Sequence, residues 1–217
     1  MRGRSNYSHI IWDWNGTLFD DVNWCIMVIN EMLSKRGLKQ LNCISEYHDV
    51  FCFPILDYYK NVGFNFEKES FEELAKEYIA LYHSEKGSIH CKLHTNALFV
   101  LKTLQEKNKF QIILSASESN NLLSQMNLFD IILFFDKILG LSNIYAESKI
   151  SIGKNYILQN EISNAVLIGD TEHDYEVSKA LKVDCLLIAN GHQRKDKLQL
   201  CKVPVLDNIS DVFEFIE

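Results

Sequence analysis

In HIIWDWNGTLFDD, residues 9–21, an apolar run breaks off at Asp13, and a turn through Gly16 and Thr17 follows. Ser115 closes the run QIIL, and Lys149 sits in AESKISIGK just before a helical pattern. In LIGDTEHD a further apolar run stops at Asp170, and Asp174 lies four residues on, one helical turn along the same face. Singly, each residue has an ordinary explanation: a turn aspartate, a helix-capping serine, a solvated lysine. Jointly they do not. Carboxylates 13, 170 and 174, each near the carboxyl end of a strand, would converge on one small volume, and such a cluster needs a cation to hold its charge.

The elements that must bring them together are legible as apolar runs at 9–14, 110–115, 165–169 and 184–189, with shorter candidates at 135–139 and 203–206. Helical patterns at 95–107, 118–127, 151–160 and 172–182 alternate with them. That alternation predicts an α/β fold, a doubly wound parallel sheet covered on both faces, with ligands bound outside the carboxyl ends of the strands. The order is broken once: residues 20–93 show helical periodicity and no convincing buried strand. They read as an all-helical insertion placed as a lid over the sheet's carboxyl edge, which divides the chain into a core, 1–19 and 94–217, and a cap, 20–93. The aromatic stretch FCFPILDYY (51–59) in that insertion reads as packing more readily than as a specificity pocket.

The net charge of −7 over 217 residues argues against a nucleic acid or an anionic membrane surface as the main partner. No apolar stretch is long enough to span a bilayer, and MRGRSNYSH leads into the first strand without a signal-peptide core. The cysteines at 25, 43, 52, 91, 185 and 201 form no CxxC pair, so reduced thiols and a cytoplasmic location are expected. Oligomeric state leaves no trace in the sequence.

Asp-x-Asn-Gly-Thr, a strand-ending serine, a lysine before a helix and Gly-Asp-x-x-x-Asp, in that order, resemble the four motifs of the haloacid dehalogenase superfamily. Within it the chain looks most like the phosphoglycolate phosphatase-like branch, with the helical cap after the first motif. The resemblance implies Asp13 as a nucleophile that becomes an aspartyl phosphate, and Mg²⁺ held by Asp13, the Asn15 carbonyl, Asp170 and Asp174. It also implies Ser115 and Lys149 on the phosphoryl oxygens, assisted by the Gly16 and Thr17 amides, with a small phosphorylated metabolite as substrate. Lys149 is preferred to Lys154 because a full helix and a loop must fit before the strand that ends at Asp170.

Most phosphatases of this superfamily carry aspartate two residues after the nucleophile, where it protonates the leaving alcohol. Asn15 can donate a hydrogen bond there but cannot exchange a proton near neutral pH. The substitution spares the metal site and removes acid–base work, a factor on the order of 10²–10⁴. Asp20, Asp21, His173 and His192 are the substitutes the sequence offers, and His192, in the ANGHQR loop, could also contact the substrate. An aspartate at 15 is expected to improve turnover of poor leaving groups. Two alternatives stay open: a phospho-ligand-binding regulatory protein with negligible turnover, and phosphonatase-like C–P cleavage through a lid lysine such as Lys35 or Lys60.

Overall fold

The computed structural model describes residues 5–84, 87–145 and 148–217. Residues 1–4 of the N-terminal stretch, 85–86 of the helical insertion and 146–147 of the lysine motif lie outside that description.

The strand β1 (His9–Trp12) is the centre of the molecule. Its residues pair in parallel with β4 (Phe110–Glu118) on one side, Trp12 opposite Ile113, and with β6 (Ala165–Gly169) on the other, Trp12 opposite Ile168. With β5 (Lys137–Leu141), β7 (Asp184–Ile188) and β8 (Val205–Leu206), they form a six-stranded sheet of order β5-β4-β1-β6-β7-β8. Alternation along β1 sends Ile10 and Trp12 into one core and Ile11 into a second, with Leu114, Leu167 and Val177, on the opposite face. Both faces being covered, the strand must be apolar throughout. The helices α6 (Ala97–Glu106), α7 (Ser119–Asn127), α8 (Ile150–Gln159), α9 (Glu172–Leu181) and the short α10 (Lys195–Gln199) accompany these strands; they are numbered after the helices of the insertion.

Those are α1 (Val22–Lys35), α2 (Ile44–Val50), α3 (Ile55–Asn61), α4 (Phe71–Tyr82) and α5 (Gly87–His90). In α1, Cys25, Val28, Ile29, Met32 and Leu33 are buried at helical spacing, and α4 begins in a reciprocal capping box between Ser70 and Glu73. Arg36 joins the two helices, donating to Glu69 at 2.7 and 2.5 Å and to Glu77 at 2.6 Å.

The sequence missed two features here. A two-residue antiparallel pair, β2 (Phe19–Asp20) with β3 (Lys92–Leu93), closes the ends of the insertion, and it is too short to show a period. The strand β4 does not end at Ser115. It continues to Glu118 through an irregularity between Leu114 and Glu118, after its pairing with β1 has finished at Ile113. All six cysteines are free thiols. Among the described residues no helix is long and apolar enough to cross a membrane.

Candidate active site

Asp13 follows β1, its amide donating to Ile168 O at 2.8 Å, so the last rung of the ladder fixes where its carboxylate emerges. Asp170 follows β6, the neighbouring strand, and Asp174 lies in the first turn of α9. The carboxylate oxygens of Asp13, Asp170 and Asp174 lie within 4.8 Å of one another. Lys149, the residue before α8, is buried against them: Nζ is 2.5 Å from Asp13 Oδ1 and 2.7 Å from Asp174 Oδ1. Lys154 is exposed.

Each acid is held differently. Thr17 Oγ1 donates to Asp170 Oδ1 at 2.8 Å, and the His192 amide donates to Oδ2 at 2.6 Å. Asp174 Oδ2 accepts from the amides of Asp170 and Thr171 at 3.2 and 3.0 Å and from Thr171 Oγ1 at 2.6 Å. Burial raises all three carboxyls, but Lys149 and the Thr171 hydroxyl bring Asp174 below its usual range. Asp13 faces the other two acids and stays raised despite Lys149, and Asp170 is raised as well. Burial opposes the charge on Lys149, yet Asp13 and Asp174 more than offset it, and the ammonium is held.

This donor set fits a hard divalent cation. It offers converging carboxylate oxygens, and its three acids carry more negative charge than Lys149 offsets. A second group, Asp21, Cys25 and His192, also lies within 4.8 Å but fits poorly. Asp21 already accepts from Asn15 Nδ2, Tyr82 Oη, the Gly16 amide and Cys25 Sγ, and burial keeps that thiol protonated.

Asn15 is fixed on every side. Nδ2 donates to Asp21 Oδ2 at 2.8 Å and to Tyr82 Oη at 2.9 Å, and Oδ1 accepts from Ser117 Oγ at 2.8 Å. His192 packs on the same acid, with Nε2 3.3 Å from Asp21 Oδ1 and Nδ1 2.7 Å from Tyr47 Oη. Burial disfavours its charge, but Asp21 outweighs that and takes the imidazole up to about 9, while Asp21 itself is lowered. The structure therefore places His192 against Asp21 as an ion pair. Asp20 pairs instead with Lys92 at 3.6 Å, and His173 stacks on Phe53 with its Nε2 unpartnered.

The expectation for the turn amides is corrected. The Gly16 amide donates to Phe19 O at 2.8 Å and to Asp21 Oδ1 at 3.1 Å, and the Thr17 amide donates to Trp14 O at 3.3 Å. Neither is left for an anion; Thr17 positions Asp170 instead. Gly16 is needed for its φ of +73° and because a side chain there would collide with Asp170 and His192. Ser115 is buried, and its Oγ accepts from the Ser117 amide at 3.1 Å. The structure adds Ser117, Tyr82 and Tyr47, which lie so far along the chain from Asn15 and His192 that no spacing could have tied them together.

A family model described as haloacid dehalogenase-like hydrolase matches residues 10–188. No curated protein matches the chain. Among solved structures, a haloacid dehalogenase-like hydrolase from Streptococcus pneumoniae superposes with a TM-score of 0.81 at 17% identity, over 95% of this chain and 97% of that one. A protein from Haemophilus somnus described as a predicted phosphoglycolate phosphatase gives 0.78 at 14%, over 98% and 99%. Protein tyrosine kinase A from Mycobacterium tuberculosis gives 0.80 at 21%, over 97% and 98%. At these identities the likeness is one of fold.

Proposed function

The chain belongs to the haloacid dehalogenase-like hydrolase family, and from that premise we propose that it is a Mg²⁺-dependent phosphohydrolase of phosphoglycolate phosphatase-like layout. It cleaves a small phosphorylated metabolite through an aspartyl phosphate on Asp13. The observation that carries this reading is the buried meeting of Asp13, Asp170 and Asp174 with Lys149 at the end of β1. Residues 1–19 and 94–217 act as the catalytic core and 20–93 as the cap. In support, α1 to α5 lie between β2 and β3 and contribute no strand to the six-stranded sheet.

A carboxylate oxygen of Asp13 attacks phosphorus as the bond to the leaving oxygen breaks. Lys149 favours the ionised nucleophile against burial, and its ammonium, with the Ser115 hydroxyl, holds non-bridging phosphoryl oxygens. Asp13, the Asn15 carbonyl, Asp170 and Asp174 would hold the Mg²⁺. When bound, that ion neutralises charge on the phosphoryl group and so lowers the repulsion between two anions. Water then attacks phosphorus, and phosphate leaves with Asp13 restored. Screening phosphomonoesters with and without Mg²⁺ tests the reading: metal-dependent phosphate release supports it, and no turnover at high enzyme concentration counts against it.

A second reading, a phospho-ligand-binding protein that turns over very slowly, is favoured by the Asn15 amide tied to Asp21, Tyr82 and Ser117 with no proton to give. A long-lived aspartyl phosphate without product release would favour it.

A further inference from the structure

Next to the acid cluster is a cavity of about 160 Å³ whose floor includes Asp13, Lys149 and Asp174. Its remaining wall is largely aromatic, with Phe51, Phe53, Tyr58, Tyr59, Tyr78 and Tyr145 among the contributors. The FCFPILDYY stretch therefore both packs and lines the site. Phe51 stacks on His192 at 4.9 Å, and Phe53 stacks on His173 at 4.7 Å.

Lys149 is the only lysine or arginine among the described lining residues, and its ammonium is engaged by Asp13 and Asp174. The histidines of the wall supply no free cation. His192 is held by Asp21, the His173 ring is stacked on Phe53, and burial disfavours charge on His83. Glu118 adds a negative group to the same wall. A leaving group bearing a carboxylate, such as glycolate, would be desolvated there without a cation to offset its charge. Two buried polar atoms of the lining residues, Tyr58 Oη and His173 Nε2, have no hydrogen-bond partner.

Asn15 gives an independent indication. An alkoxide is roughly as basic as hydroxide, with water at about 15.7, and needs a proton to depart. A phenolate, with a pKa near 10, needs it far less. A site without a proton donor at position 15 loses on the order of 10²–10⁴ on the first kind of ester and much less on the second.

We propose that this site takes aryl phosphates: the leaving group is a single uncharged aromatic ring, seated in the aromatic cavity beside Asp13. The volume limits the leaving group to one ring, because an apolar cavity of about 150 Å³ holds a benzene ring and this one must seat the phosphoryl group as well. In the reaction, Asp13 forms the new P–O bond while the P–O bond to the ring breaks. The electron pair leaves on the aryloxide, which takes a proton from water. A second water then breaks the acyl phosphate to give inorganic phosphate. This inference rests on the phosphohydrolase reading above.

Two measurements on the wild-type protein with Mg²⁺ test it. The kcat/KM for phenyl phosphate should exceed that for phosphoglycolate by at least roughly 100-fold; a ratio below about ten overturns the inference while leaving the phosphohydrolase reading intact. By calorimetry, benzylphosphonate should bind at least roughly tenfold tighter than phosphonoacetate, about one pKa unit's worth of free energy. Equal binding, tighter phosphonoacetate, or no binding of either overturns the inference. If neither ester turns over, this inference fails whatever the binding ratio, and Mg²⁺-dependent phosphate release from other phosphomonoesters decides the phosphohydrolase reading separately.

Discussion

The carboxamide of Asn15 donates to the buried carboxylate of Asp21 at 2.8 Å. Position 15 thus carries the amide, and the acid stands six residues on, at the root of the cap.

That pairing changes what an aspartate at 15 would do. Alone, Asn15→Asp sets a second carboxylate against Asp21 and removes the donor it shares with Tyr82, so it should cost on the order of 2 kcal/mol of stability. The exchanged pair, Asn15→Asp with Asp21→Asn, restores one donor and one acceptor between the two positions but leaves His192 without its acid, so it should recover only part of that loss. It should also raise hydrolysis of an alkyl phosphate by roughly 10²-fold. Denaturant melts and kinetics on both proteins check this; an Asn15→Asp protein as stable as wild type contradicts the network.

Lys149→Met should make stability more dependent on Mg²⁺. Without the ammonium, Asp13, Asp170 and Asp174 repel one another in a buried site, and breaking a buried pair costs roughly 3–5 kcal/mol. Metal that binds the folded state offsets this by mass action. The midpoint of thermal unfolding, with and without Mg²⁺, should therefore shift further for the variant than for wild type. An equal shift sinks the prediction.

Trp14, inside the first motif, serves the fold: its Nε1 donates to Gln125 Oε1 at 2.9 Å in α7, and its ring stacks on Phe19. Gln125→Leu should cost roughly 1–3 kcal/mol by stranding a buried indole N–H, with kcat at 25 °C little changed. A large fall in kcat at full folding would assign Trp14 a part in the chemistry.

Arg36 should shape stability on the acid side. Its bonds hold Glu69 below the usual carboxylate range, and together with Lys35 they bring Glu77 below it too, outweighing burial there. A lowered folded pKa means stabilisation that is present above the unfolded value and lost as pH falls through the folded one. Arg36→Met should therefore lose less stability than wild type between neutral pH and about pH 4. Parallel pH profiles would remove Arg36 from that role.

The sheet and its helices were legible because buried parallel strands are continuous apolar runs, and α8 and α9 carry a helical stripe. The meeting of Asp13 and Asp170 was legible because β1 and β6 are neighbours, so residues just past their ends must meet. What could not be read is how side chains are spent. Gly16 and Thr17 look free in the sequence, but their amides close the turn. Ser117 belongs to a strand extension past the end of pairing with β1, and Tyr82 meets Asn15 only because the cap folds back. Such contacts are set by tertiary packing, which leaves no period.

The most direct test is to find where the phosphoryl group goes. The protein is mixed with phenyl phosphate and Mg²⁺, quenched in acid and mapped by mass spectrometry. One phosphoryl group on Asp13, absent from Asp13→Asn along with all but a few per cent of turnover, is the expected result. A phosphoryl group on another residue, or an Asp13→Asn protein that still hydrolyses the ester, would contradict the mechanism.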